Sequence, residues 1–195
     1  MRKIALILTL SFLASSYLHA QKDKFTPGSK VPPFVIRTYT GDRLDMEEIL
    51  ETKDRLIIIF YQGSWSEYDR KYLKAIQERY EEIQQKNAEV VVITREKAAY
   101  VKKLVEEEGL TFPICMDNDW YVMSSYQVAY KMSARNLPDK YKEYSGYNYR
   151  HTGSKDDIVP IPATYIVDQK RKVIWNYFEH DFRRRPKVED VMNNL

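Results

Sequence analysis

Two serines and two carboxylates crowd one short stretch of the chain, Gly63-Ser64-Trp65-Ser66-Glu67-Tyr68-Asp69, and these residue types admit two kinds of role. A serine hydroxyl attacks a carbonyl only when an adjacent base takes its proton, histidine being the usual one. Beyond His19 near the start, the chain offers His151 and His180, and neither stands in an acyl-transfer context. The other role is structural. Ser66-x-x-Asp69 and Ser64-x-x-Glu67 both approximate a capping box, in which the serine oxygen accepts a helix N-terminal amide and the acid three residues on returns the bond. Either acid would also complement the positive end of the helix dipole.

The single thiol, Cys115, has no partner for an internal disulfide. It alternates with Phe112, Ile114 and Met116 and so points to the other face of a strand. A buried Cys there behaves as a small hydrophobe, whereas a redox role would need an electropositive, partly exposed setting that no neighbouring Lys, Arg or His supplies. His180 has no second ligand at metal spacing, and no phosphate-loop or dinucleotide glycine motif occurs, so neither metal nor cofactor is expected. The run Arg183-Arg184-Arg185 suits an anion or a partner carboxylate, or else a solvated surface. Tyr141, Tyr144, Tyr147 and Tyr149 could form a recognition surface or pin their segment to the body.

The elements that must position these groups follow from periodicity. Phe34 to Thr40 and Arg43-Leu44 flank a Thr40-Gly41-Asp42 turn, reading as a hairpin, with a short helix over Asp45 to Leu50. Arg55 to Tyr61 is a continuous β-branched and aromatic run, the pattern of a central strand buried on both faces. Tyr72, Leu73, Ile76, Tyr80 and Ile83 then repeat at helical spacing, giving one amphipathic helix from Ser66 to about Lys86. Glu89 to Thr94 is a second buried strand, Ala98 to Val105 a helix closed by Gly109, and Phe112 to Met116 a third strand. Asp119 is placed to cap a short helix to Tyr126. From Lys131 to Pro160 the pattern lapses into a long polar, Tyr-rich segment. Ala163 to Val167 and Lys172 to Phe178 form an antiparallel hairpin, and Pro186 opens a last helix carrying Val188, Val191 and Leu195. Strands alternating with helices imply a largely parallel sheet covered on both faces, made mixed by the final hairpin.

The chain opens on Met1-Arg2-Lys3, an apolar stretch from Ile4 to Ala14, and Leu18-His19-Ala20, the outline of a secretory signal over residues 1–20. The apolar stretch is too short to span a bilayer, and nothing comparable recurs, so no membrane span is expected. The reading is an exported protein beginning at Gln21, periplasmic where a cell has two membranes and secreted otherwise, with residues 21–195 as a single domain. Taking Arg2 and Lys3 from the 31 basic residues leaves 29 against 28 acidic ones, a net charge of +1. Such a balance supplies no concentrated basic face, which argues against nucleic-acid binding.

The order of elements is that of a thioredoxin-like α/β fold, with a central mixed sheet and helices on both faces. Phe60-Tyr61-Gln62-Gly63-Ser64-Trp65-Ser66-Glu67-Tyr68-Asp69-Arg70 resembles the active-site segment of the peroxiredoxin-like family, the alkyl hydroperoxide reductase and thiol-specific antioxidant group. In that segment an aromatic residue, Gly and Trp precede Cys-x-x-Cys. Ile161 to Asp168 is similar to the family's cis-proline strand, and Phe112 to Asp117 and Phe182 to Pro186 continue the likeness. The resemblance implies a cis Ile161–Pro162 bond and a groove formed by Trp65, Ser66, Ile161 and Pro162. It also places Ser66 and Asp69 where the family has its two cysteines. Peroxide reduction needs a thiolate that becomes a sulfenic acid and a second thiol to resolve it, and a serine hydroxyl cannot follow that course. The expectation is therefore a non-catalytic protein that holds a peptide, protein or small ligand in the former active-site groove. The alternative is a thiol-dependent peroxidase or oxidoreductase using Cys115 and an external thiol.

Overall fold

The computed structural model describes residues 25–195, so the expected signal segment lies outside the described residues. Five strands form the central sheet in the order β5-β4-β3-β8-β9. Strands β3 (Arg55–Phe60), β4 (Ala88–Thr94) and β5 (Ile114–Met116) run parallel, while β8 (Ala163–Asp168) lies antiparallel to β3 and to β9 (Val173–Phe178). The mixed sheet expected from the sequence is the one observed.

Strand alternation sorts the core into two clusters. Leu56, Ile58 and Phe60 join Val91, Ile93, Cys115 and Tyr165 on one face, packed against helices α1 (Met46–Thr52) and α5 (Tyr121–Ser125). Ile57, Ile59 and Tyr61 face the other way, with Val90, Val92 and Ile114, onto helices α2 (Glu67–Glu78), α3 (Tyr80–Gln85), α4 (Ala98–Glu108) and α7 (Val188–Met192). Because side chains alternate with period 2, a strand buried on both faces must be apolar throughout, which is why β3 reads as an unbroken run. The hairpin β1 (Val35–Arg37) and β2 (Arg43–Asp45) forms where expected. Asp45 accepts from the Glu47 amide to cap α1, and Gly109, at φ 64°, closes α4 in the left-handed conformation glycine favours.

Several expectations are corrected. The helix expected to run unbroken to Lys86 breaks at Arg79, whose φ −110°, ψ 5° separates α2 from α3. The cap of α5 comes from Asp117, not Asp119: its two carboxylate oxygens accept from the Val122 and Met123 amides at 3.1 and 2.8 Å. The last helix starts at Val188, two residues after Pro186. The segment from 131 to 160 is structured: β6 (Ala129–Lys131) and β7 (Ile158–Pro160) pair antiparallel as a stalk for helix α6 (Tyr141–Thr152). Its inward stripe is Tyr144, Tyr147, Asn148 and His151, polar or aromatic rather than aliphatic, and Asn148 alone in the helix is fully buried. A hydrophobic period therefore gave no signal.

The expected cis Ile161–Pro162 bond is also corrected, since every peptide bond among the described residues is trans. Ile161 and Pro162 link β7 to β8. The Ile161 amide donates to the Val128 carbonyl at 2.7 Å, and the Pro162 carbonyl accepts from the Glu179 amide at 3.1 Å. The trans form is the one ordinarily preferred, by about 0.5–1 kcal/mol.

Candidate functional site

The site lies where β3 ends and α2 begins. Ser66 occupies the N-cap position with extended backbone, and its Oγ accepts from the Asp69 amide at 3.3 Å. The reciprocal half of the capping box does not form, because the Ser66 amide bonds to the Gly63 carbonyl at 2.9 Å. Asp69, fully buried, turns instead to Arg185: Oδ1 accepts from Nε at 2.8 Å and from Nη2, while Oδ2 accepts from the Gln62 amide at 3.1 Å. Burial pushes the Asp69 carboxyl up, and the Arg185 guanidinium opposes that push. One member of the triple-arginine run thus serves an internal carboxylate. Arg183 and Arg184 turn to Asp181.

The preceding turn is held by Glu96, which follows β4 and is fully buried. Its Oε2 accepts from the Tyr61 hydroxyl and the Ser64 amide, both at 2.8 Å, and its Oε1 from Ser64 Oγ at 2.8 Å. His151, at the end of α6, brings Nδ1 to 2.5 Å from the same Oε1 and 3.5 Å from Ser64 Oγ. Its ring stacks on Tyr100 at 3.8 Å. Burial, and then the Glu96 charge, raise the Tyr61 phenol well above its ordinary value. Serine and glutamate meet the same imidazole nitrogen, so the trio lacks the relay in which acid and nucleophile sit on opposite nitrogens. It is a clamp that fixes the turn and the far end of α6. Gly63 leaves room for it, since a Cβ there would lie 2.6 Å from Trp65 Cδ1 and 3.1 Å from Glu96 Oε1.

Trp65 lies under α6, stacked on Tyr147 and tilted against Tyr144, which in turn meets Phe182 edge-on. An open cleft of about 510 Å³ runs beside Trp65 and Ser66, bounded by residues 136–140 and α6 on one side and Asp181 to Arg183 on the other. Of the four expected groove residues, Trp65 and Ser66 line this cleft. Ile161 and Pro162, both buried, instead wall a separate pocket of about 10 Å³ beneath Tyr144 and Phe182. Cys115 sits in the core on the opposite face of the sheet from α2, with its thiol pushed up to about 12 by burial. Among the described residues no group of three or more His, Cys, Asp or Glu is placed to hold a metal ion.

Sequence reasoning missed Glu96, Arg185 as the partner of Asp69, and the lid helix. The charged pair Arg95-Glu96 directly after a buried strand could have flagged the first. The i, i+3, i+4, i+7 spacing of Tyr144, Tyr147, Asn148 and His151 could have revealed the last.

A profile of the AhpC/TSA family matches residues 27–176, most of the chain. The chain belongs to the AhpC/TSA family. Similar curated proteins include the thiol-disulfide oxidoreductase ResA of Bacillus subtilis (strain 168), 20% identical over 88% of this chain and 78% of its own length. ResA of Bacillus anthracis is 23% identical over 88% and 83%. Among solved structures, the peroxidoxin BcpB of Mycobacterium tuberculosis superposes with a TM-score of 0.66 at 16% identity, covering 87% of this chain and 96% of that one. AhpC of Enterococcus faecalis gives 0.64 at 18%, covering 87% and 90%. At these identities the superpositions show the thioredoxin fold of the peroxiredoxins, as expected from the motifs. The chain is therefore a redoxin, similar to the thiol-disulfide oxidoreductases, whose single cysteine is buried in the core.

Proposed function

We propose that this redoxin is an exported, non-catalytic binding protein that receives a peptide, protein or small ligand in the cleft beside Trp65 and Ser66. The observation that carries the reading is the fate of the two active-site positions: Ser66 has become a helix cap and Asp69 is locked to Arg185. Neither side chain can form a disulfide or a sulfenic acid. The retained Trp65, walled by Tyr144 and Tyr147, supports recognition as the surviving use of the site. Export rests on the N-terminal pattern of the sequence, and no helix among the described residues is long and apolar enough to cross a membrane.

Family membership favours a second reading, in which Cys115 and an external thiol carry out peroxidase or oxidoreductase chemistry. Burial of Cys115 and a thiol pushed up to about 12 weigh against it, because the thiolate is the reactive species. The deciding experiment follows peroxide consumption and disulfide reduction with a dithiol reductant. Wild type and Cys115→Ser are expected to give the same background rate; turnover by wild type that the substitution abolishes would move the chemistry to β5.

A further inference from the structure

We propose that the cleft beside Trp65 recognises an arginine side chain on an extended peptide segment. The inference rests on the reading of the cleft as a binding site and names what it binds. Its walls combine two features that favour a cation. The first is aromatic: Trp65, Tyr68, Tyr144, Tyr147 and Phe182 line it, with Tyr68 40% exposed and open to a ligand. Rings attract a cation through the negative face of their quadrupole, and a planar guanidinium also stacks on them. Helix α6 already uses its rings in this way, since the guanidinium of Arg150 sits 4.8 Å from the Tyr147 centroid and the ammonium of Lys155 5.6 Å from that of Tyr149.

The second feature is charge. Glu67, Asp139, Glu143 and Asp181 contribute four carboxylates to the lining, against the cations Lys140 and Arg183. Three of these carboxylates are ion-paired, Glu143 with Lys140 at 3.0 Å, Asp181 with Arg183 at 2.8 Å and Glu67 with Lys71, so the lining keeps one carboxylate over. Asp139, exposed at the foot of α6, has no ion-pair partner among those described. An anionic ligand would meet the unpaired carboxylate of Asp139; a cationic one would complement it. The cleft is open and, at about 510 Å³, of the size that holds a ligand larger than a single side chain, which favours a peptide over a free cation.

The test uses the purified protein and three capped pentapeptides with glycine on both sides of a central arginine, citrulline or glutamate, together with free argininamide, by titration calorimetry. The arginine peptide is expected to bind at least tenfold more tightly than its citrulline and glutamate counterparts and than argininamide, and to weaken as salt is raised. Tyr68→Ala and Asp139→Asn, both at exposed positions that leave the fold intact, should each weaken it about threefold to fivefold. Equal binding of all three peptides, sensitive to Tyr68→Ala, would overturn arginine recognition while leaving the cleft a binding site. Tighter binding of the glutamate peptide, argininamide matching the arginine peptide, or no binding by any probe at millimolar concentration would each overturn the proposal. The peroxide and disulfide assays separately decide whether the protein is non-catalytic.

Discussion

The indole of Trp65 lies almost parallel to the ring of Tyr147, 10° apart with centroids at 5.5 Å, and this contact fastens helix α6 to the turn that leads into α2. Aromatic pairs of this kind contribute about 0.5–1.5 kcal/mol beyond the area they bury. Tyr147→Ala should therefore loosen α6 more than the sheet. Hydrogen exchange is the check: amides of residues 141–152 should exchange several-fold faster while those of β3 and β4 stay unchanged. Uniform acceleration across the chain would show that α6 is not a separately anchored unit.

Arg185 and Asp69 form a buried pair, with side chains 8% and 0% exposed. Removing one partner of such a pair leaves an uncompensated charge and costs about 3–5 kcal/mol. Arg185→Met should lower the denaturant midpoint sharply, and Asp69→Leu with Arg185→Met should recover much of the loss. The pH dependence has a definite sign. Burial already raises the folded pKa of Asp69 above the unfolded value, and with Arg185 gone the largest opposing influence is lost, so it rises further. The single variant is then stabilised below the ordinary carboxylate range and loses that stability as pH rises through the raised value. A loss equally large at pH 4 and pH 7 would contradict the assignment.

Arg95, itself buried, holds the stalk: its guanidinium donates to both Asp156 oxygens at 2.9 Å and to the Ile158 carbonyl at 2.8 Å. Burial pushes Asp156 upward, but Arg95, the Ile158 amide and Ser154 outweigh it and lower the carboxyl to about 2. A depressed carboxyl stabilises the fold above its unfolded value near 4, and that contribution is lost as pH falls through about 2. Asp156→Asn should cost about 2 kcal/mol at pH 7, with the gap to wild type narrowing toward pH 2. Urea midpoints at the two pH values test it, and a constant gap would sink it.

Ser66→Cys places a thiol at the cap of α2, where the Asp69 amide already donates to the side chain. The helix dipole and that donor favour a thiolate, and Arg185 neutralises the nearby carboxylate, so the thiol pKa should fall below about 8.5. The rate of alkylation as a function of pH measures it. A value at or above 8.5 would mean that burial outweighs the helix start.

The sheet and most helices were legible because their signals are local: β-branched runs in β3 and β4, aliphatic periodicity in α2 and α4, and a glycine cap at 109. The lid was not, because α6 is held by Tyr144, Tyr147 and His151 against Trp65 and Glu96, contacts made across the fold rather than along it. Trp65 and Ser66, two of the expected groove residues, do line one cleft. The internal wiring was not legible, since Arg185 stands 116 residues from Asp69 and nothing in either neighbourhood announces the other. The bond before Pro162 is trans, against what the likeness of the motif implied.

The bond between Asp69 and Arg185 also bears on the history open to this lineage. Acquiring a Cys-x-x-Cys centre requires cysteine at 66 and at 69, and whichever comes first brings no dithiol. Changing 69 first strands a buried guanidinium, at a cost comparable to much of the roughly 5–15 kcal/mol that keeps a typical domain folded. Changing 66 first leaves a lone thiol with nothing to resolve it. The pair therefore works as a barrier: with the acid and the arginine bonded to each other, no single change reaches a working dithiol.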